Sequence, residues 1–189
     1  MSAEPVRCWS TTDPAYLDYH DLEWGRPVTD ERGLYERLCL EGFQSGLSWL
    51  TILRKRENFR RAFAEFGPDR VARFGDRDVE RLLADAGIVR HRGKIEAAIA
   101  NARGVLALRE VGMPLPELVW HYRADDGPST AAETPASREL SKRLKAAGFR
   151  FVGPTTVYSA LQACGIVNDH RLDCHVRANV EAARNASVR

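Results

Sequence analysis

The chain has 189 residues, 44% of them hydrophobic and 29% charged, with a formal net charge of +2. That composition describes an ordinary globular protein with no repeat or low-complexity tract. No apolar run is long enough to span a membrane and positions 1–10 hold no signal-peptide pattern, which argues against membrane and secreted classes and for the cytoplasm. In that reducing setting Cys8, Cys39, Cys164 and Cys174 are expected to be thiols or metal ligands, not disulfides.

The first expected helix starts at Asp13-Pro14, an N-cap followed by proline at the first helical position. It runs to Trp24 and is stopped by Gly25 and Pro27. Tyr16, Tyr19, His20 and Trp24 fall close to one face, which is aromatic and nearly free of aliphatic residues. Such a face suits a pocket wall as well as a core.

Thr29 or Asp30 caps the second helix, whose apolar stripe is Leu34, Leu38 and Cys39. This helix is expected to end near Glu41, at a bend loosened by Gly42 and Gly46. Trp49 opens the third helix, capped by Ser48, with Leu50, Leu53, Phe59 and Phe63 on one side. A carboxylate facing an indole across a bend can floor a pocket for a flat, polar or cationic ligand. The plainer reading is a helical corner with Trp49 in the core and Glu41 in solvent.

Basic residues gather in two places: Arg54, Lys55, Arg56, Arg60 and Arg61, and then Arg90, His91, Arg92 and Lys94. They fit a surface that meets phosphates, or solvated helix faces. Around the second cluster, Asp76 caps a helix with Val79, Leu82, Leu83 and Ala86. Gly87-Ile88-Val89-Arg90 breaks it, and Ile95, Ala98, Ile99, Ala102, Val105 and Leu106 continue at helical spacing. Residues 76–108 thus read as a helix–hairpin–helix element, with Gly87, Arg90, Arg92 and Lys94 placed to seat phosphates. Val89 stands where the common form has a second glycine.

The stretch 123–137, with Asp125, Asp126, Gly127, Pro128 and Pro135, reads as a surface loop. Two more helices follow, ended by Gly148 and Gly165. No strand pattern is found, so the fold is expected to be all-α. His170 and Cys174 are four apart, on one face if helical. With Cys8 and His20 they would complete a tetrahedral set for one structural zinc joining the two ends of the chain. Alternatively the histidines are hydrogen-bonded and the thiols simply buried.

Several runs resemble the 3-methyladenine DNA glycosylase I family. They are Asp13-Pro14 with Tyr19-His20-Asp21, Glu23-Trp24-Gly25, Leu40-Glu41-Gly42 with Gln44, Gly46-Leu47-Ser48-Trp49, Arg90-His91-Arg92-Gly93-Lys94-Ile95, Phe151-Val152-Gly153 and Val167-Asn168-Asp169-His170 with Cys174. The chain departs from the family in having Cys8 and Trp9 adjacent. The resemblance implies a single helix–hairpin–helix glycosylase domain over 1–189, in two helical lobes, stapled by zinc on Cys8, His20, His170 and Cys174. It implies a base pocket of Glu41, Trp49, Tyr16 and Tyr19, with Trp9 and Trp24 alongside. Where many superfamily relatives carry an Asp near the sugar, this chain has Asn168.

The activity implied is monofunctional hydrolysis of the N-glycosidic bond of 3-methyladenine in damaged duplex DNA, by a monomer. A zinc-stabilised DNA-binding module without catalysis is the alternative. A glycosylase that uses Lys94 as a lyase nucleophile is a third reading, with phosphate contact favoured for Lys94.

Overall fold

The computed structural model describes residues 5–125 and 127–187, so positions 1–4 and Asp126 of the expected surface loop lie outside the described residues. Every regular element among the described residues is helical.

Helix α1 spans Pro14–Asp18, with the Asp13 carboxylate accepting from the Tyr16 amide. It does not continue as an α-helix. Residues Tyr19–Glu23 form a π-helical turn closed by the Trp24 amide on the Tyr19 carbonyl at 2.8 Å. Turns of this kind are uncommon and frequent at functional sites.

Helix α2, Glu31–Gln44, is capped by Asp30 and is buried along its second half. It packs against α3 (Trp49–Ala62), α6 (Arg92–Glu110), α7 (Leu115–Trp120) and α9 (Pro154–Ala163). The expected break at Glu41 is therefore displaced: α2 runs through Gly42, and only Gly46 has a positive φ, at 79°. Ser48 caps α3 by accepting from the Thr51 amide. On α3 the core takes Trp49, Ile52 and Phe59, while Leu50 and Leu53 are half-buried.

Helix α4 is short, Pro68–Val71. Helix α5, Asp76–Ala84, is capped by Gly75 and not by Asp76, whose neighbour Asp78 reaches back to the Gly75 amide. After α6 and α7, α8 (Pro135–Ala146) and α9 end on Gly148 and Gly165, both left-handed. At each, the next residue donates back into the last helical turn: Phe149 to Leu144 and Ile166 to Leu161. Gly165 also meets the Gly25 carbonyl so closely that a Cβ there would stand 2.5 Å from it.

Helix α10 spans Arg177–Ala186. Its Arg184 is fully buried and donates to the carbonyls of Ala124, Gly165 and Ile166, tying the chain's last helix to the 164–166 turn. His170 and Cys174 lie before α10 in irregular turns, so the expected helical i, i+4 face is absent there.

Candidate active site and metal group

A cavity of about 200 Å³ opens beside the second half of α2. All six residues expected at a base pocket line it: Glu41, Trp49, Tyr16, Tyr19, Trp9 and Trp24. Four of them come from the 25 residues at the start of the chain, brought round by α1 and the π turn. Trp9 meets Tyr16 at 5.2 Å between ring centroids and Trp24 edge-on at 5.0 Å. Tyr19 meets Trp49 at 5.2 Å. The adjacency of Cys8 and Trp9 thus does not keep the indole out of the cavity.

Glu41 does not sit in solvent. It is 6% exposed and has no hydrogen bond or ion pair among the described residues. Burial pushes its carboxyl up to about 8, and the Arg37 guanidinium one turn earlier pulls it part of the way back. A buried carboxyl without a partner is costly to a fold and has no packing purpose. Such groups concentrate at functional sites.

Arg37 belongs to a network beneath the cavity. It donates to Glu23 at 3.0 Å and lies over the Tyr19 ring at 5.6 Å, while Arg56 grips both Glu23 oxygens. Burial alone would raise the Glu23 carboxyl, but Arg56 and Arg37 outweigh it and hold it below its ordinary value. Arg37 is therefore committed to Glu23, leaving Glu41 as the carboxyl available to an occupant. The buried indole N–H groups of Trp9 and Trp49 also lack acceptors among the described residues.

Gln44, from the run that resembles the family, also lines the cavity, and two further lining residues carry no signal in the sequence: Ser159 and Gln162. Gln162 donates Nε2 to Asp169 at 2.7 Å, and Asp169 also accepts from the Tyr158 hydroxyl and the Ser129 amide. A carboxylate can only accept, so the amide atom facing it is fixed as nitrogen. Asn168 is not in this cavity. It donates to the Arg177 carbonyl and to Glu181, in a separate small cavity near α10.

Cys8, His20, His170 and Cys174 do come together, their donor atoms all within 4.8 Å of one another. The Sγ–N separations are 3.3 Å for Cys8–His170, 3.4 Å for Cys174–His170 and 3.6 Å for Cys174–His20. Tetrahedral zinc bound at the usual lengths sets its donors roughly 3.5 Å apart. The imidazoles are also oriented for a metal. His20 Nδ1 faces Asp21 at 2.7 Å and His170 Nε2 faces the Trp24 carbonyl at 3.0 Å, so His170 Nδ1 turns to both thiols, while His20 Nε2 turns to Cys174 and also accepts from the Cys8 amide at 3.1 Å. The donor set and its surroundings therefore fit a four-coordinate zinc.

Helix α5, a turn over residues 85–91 and α6 follow one another where the helix–hairpin–helix element was expected. Asn58 donates to the Gly87 carbonyl and Lys55 to the Ala86 carbonyl, so the turn is braced on α3. Arg90 is exposed and without an ion pair among the described residues; Arg92 is exposed and bound to Glu80. Lys94 corrects the expectation. It is 8% exposed and its ammonium donates to the carbonyls of Phe43 and Ser45, so it is not placed to meet a phosphate. The carbonyls left open at the end of α2 are a stronger attraction for a buried cation than solvent beyond them.

Residues 9–178 match the methyladenine glycosylase family. The chain is 51% identical over 177 residues to DNA-3-methyladenine glycosylase 1 of Escherichia coli (strain K12), covering 89% of this chain and 95% of that relative. Its fold matches a crystal structure of 3-methyladenine DNA glycosylase I with a TM-score of 0.87 at 49% identity, over 90% of this chain and 98% of the other. It also matches a variant of a 3-methyladenine DNA glycosylase I in complex with 3-methyladenine, with a TM-score of 0.85 at 38% identity, over 88% and 94% of the two chains.

Proposed function

Since the chain belongs to the methyladenine glycosylase family, we propose that it is a monofunctional base-excision repair glycosylase, which hydrolyses the N-glycosidic bond of 3-methyladenine in alkylated duplex DNA and leaves an abasic site. The observation that carries this reading is Glu41, a buried carboxyl with no partner among the described residues, enclosed by aromatic walls.

The lesion must leave the helical stack to reach such a cavity. Inside it, the flat ring stacks on Trp49 with Tyr16 closing the other side, and Tyr19, itself packed on Trp49, borders the ring's edge. Adenine methylated at N3 is cationic, and Glu41 in its ionised form attracts that charge and accepts from the exocyclic amine. Arrival of the cation favours ionisation of a carboxyl otherwise held near 8. Unmodified adenine brings no charge to offset the desolvation of the carboxylate, so capture itself discriminates. The methylated ring is already a good leaving group, and little further push is needed for water to replace it.

Lys94, held by the Phe43 and Ser45 carbonyls, offers no free amine for a Schiff base, which supports simple hydrolysis. Gly87, Arg90 and Arg92 are read as the phosphate grip of a helix–hairpin–helix element within one domain. Cys8, His20, His170 and Cys174 would hold one zinc, which supplies a rigid link and has no open coordination position. The setting is the reducing cytoplasm, with the protein acting as a monomer.

Methylated duplex incubated with the protein should release free 3-methyladenine and leave an unbroken abasic strand, with no adduct trapped by borohydride. Glu41→Gln should lose roughly 1.5–3 kcal/mol, about ten- to a hundredfold in rate. Duplex binding without any base release would instead support a DNA-binding module.

A further inference from the structure

Phe151 is left out of the site described so far, although its position is unusual. Its backbone is left-handed, with φ of 55°. Among the described residues the other non-glycine positions of this kind are three in a row, Ala64, Glu65 and Phe66, within one tight turn. Phe151 stands alone, and a bulky residue there is strained.

The strain is held from both sides. Asn101 on α6 accepts from the Arg150 amide at 2.7 Å and donates to the Arg150 carbonyl at 3.2 Å. Ser141 on α8 donates to the Val152 carbonyl at 2.6 Å. The peptide before Phe151 and the one after Val152 are thus held, and the short stretch between them presents an aromatic ring 39% exposed. A ring needed only for packing would be expected to turn inward, as Phe149 does two residues earlier.

Its surroundings give the ring a use. A Cβ on Gly42, next to Glu41, would stand 3.4 Å from Phe151 Cβ, and one on Gly93 would stand 3.9 Å from the ring. The His91 ring lies edge-on at 6.3 Å. Phe151 therefore bridges the helix that floors the base cavity and the first turn of α6, where the hairpin's phosphate grip begins.

We infer that Phe151 is a DNA-contacting residue: its ring packs on the sugar and base faces beside the extruded nucleotide, between the phosphate grip and the mouth of the cavity. The inference rests on the glycosylase and hairpin readings above. An apolar ring at that place fills part of the gap left in the stack and slows return of the lesion. Holding the ring on a pinned, strained backbone keeps it from folding back onto the protein in the absence of DNA.

The test compares wild type, F151A, F151G and F151L. Glycine is relaxed at this φ, so F151G removes the ring without backbone strain. Three readouts are needed: affinity for free 3-methyladenine, affinity for a duplex carrying a tetrahydrofuran abasic analogue, and fluorescence of 2-aminopurine placed next to it. Free-base affinity should be unchanged in all variants. F151A and F151G should bind the abasic duplex about tenfold more weakly and give a smaller 2-aminopurine signal, with F151L intermediate.

Wild-type duplex affinity and 2-aminopurine signal in F151G would overturn the proposal. So would a parallel loss of free-base affinity, which would make the ring part of the cavity's support. A wild-type protein that releases no base would defeat the glycosylase reading alone, since the duplex measurements would still decide the role of Phe151.

Discussion

The ammonium of Lys94 donates to the Phe43 carbonyl at 3.0 Å, so the helix that follows the hairpin is bolted to the end of the helix that carries Glu41. A second bond, to Ser45, fixes the start of the turn leading to Trp49. Replacing Lys94 with Met leaves two carbonyls without their charged donor. The change should destabilise the protein by roughly 1.5–3 kcal/mol, measured by denaturant unfolding. The salt dependence of binding to undamaged duplex should stay as in wild type, because no phosphate contact is lost. A salt slope reduced by about one unit would return Lys94 to the DNA surface.

Glu41 links stability to pH in the opposite sense from a paired carboxylate. Its folded value, about 8, lies above the ordinary 4.5. The folded protein therefore holds a proton that the unfolded chain releases, and the stabilisation is complete below about 4.5 and lost as pH rises through about 8. Arg37, the Tyr16 and Tyr19 phenols and the Cys164 thiol are the other ionisable groups that bear on it. Glu41→Gln removes the slope. Unfolding curves at pH 5 and pH 9 should show the variant gaining on wild type by up to roughly 1.4 kcal/mol per pH unit between the two limits. Parallel curves would show that Glu41 is solvated.

The metal group predicts about one zinc per chain by elemental analysis of unchelated protein. Cys174→Ser should lower the melting temperature markedly while leaving base release at low temperature largely intact, because the four protein ligands leave no place for substrate. Fresh protein without metal would mean that the imidazole–thiol contacts are ordinary hydrogen bonds.

Asp169 fixes which end of the Gln162 amide can face the base cavity. Asn at 169 could donate or accept, and Gln162 would lose its single orientation. Asp169→Asn should weaken binding of free 3-methyladenine by roughly 0.5–1.5 kcal/mol, read by quenching of the cavity tryptophans. Unchanged affinity would make Gln162 a spectator of the wall.

The helices with strong caps were readable. Asp30 and Ser48 each accept the amide that their position predicts, and Gly148 and Gly165 end α8 and α9 in left-handed geometry. Six lining residues of the cavity were named by the family resemblance; spacing alone favoured a helical corner with Glu41 in solvent, because burial of a carboxylate is not written in a local pattern. Three further features were not readable. Gly42 continues α2 because burial against neighbouring helices outweighs its weak propensity. His170 and Cys174 meet without a helix, since a spacing of four is equally compatible with consecutive turns. Lys94 reads as a surface cation until the open carbonyls of α2 are placed beside it, and nothing local in the sequence does that.

The wall formed by Trp9, Tyr16, Tyr19 and Trp24 is seated by residues made long after it. Cys8 and His20 meet His170 and Cys174, the Val28 amide reaches the Cys164 carbonyl, and the His175 amide reaches that of Val6. During synthesis α2, α3 and α6 can pack as soon as they emerge, but the aromatic wall must wait for the final turns before α10. A chain cut short before Cys174 should keep most of its helical signal and capture no base.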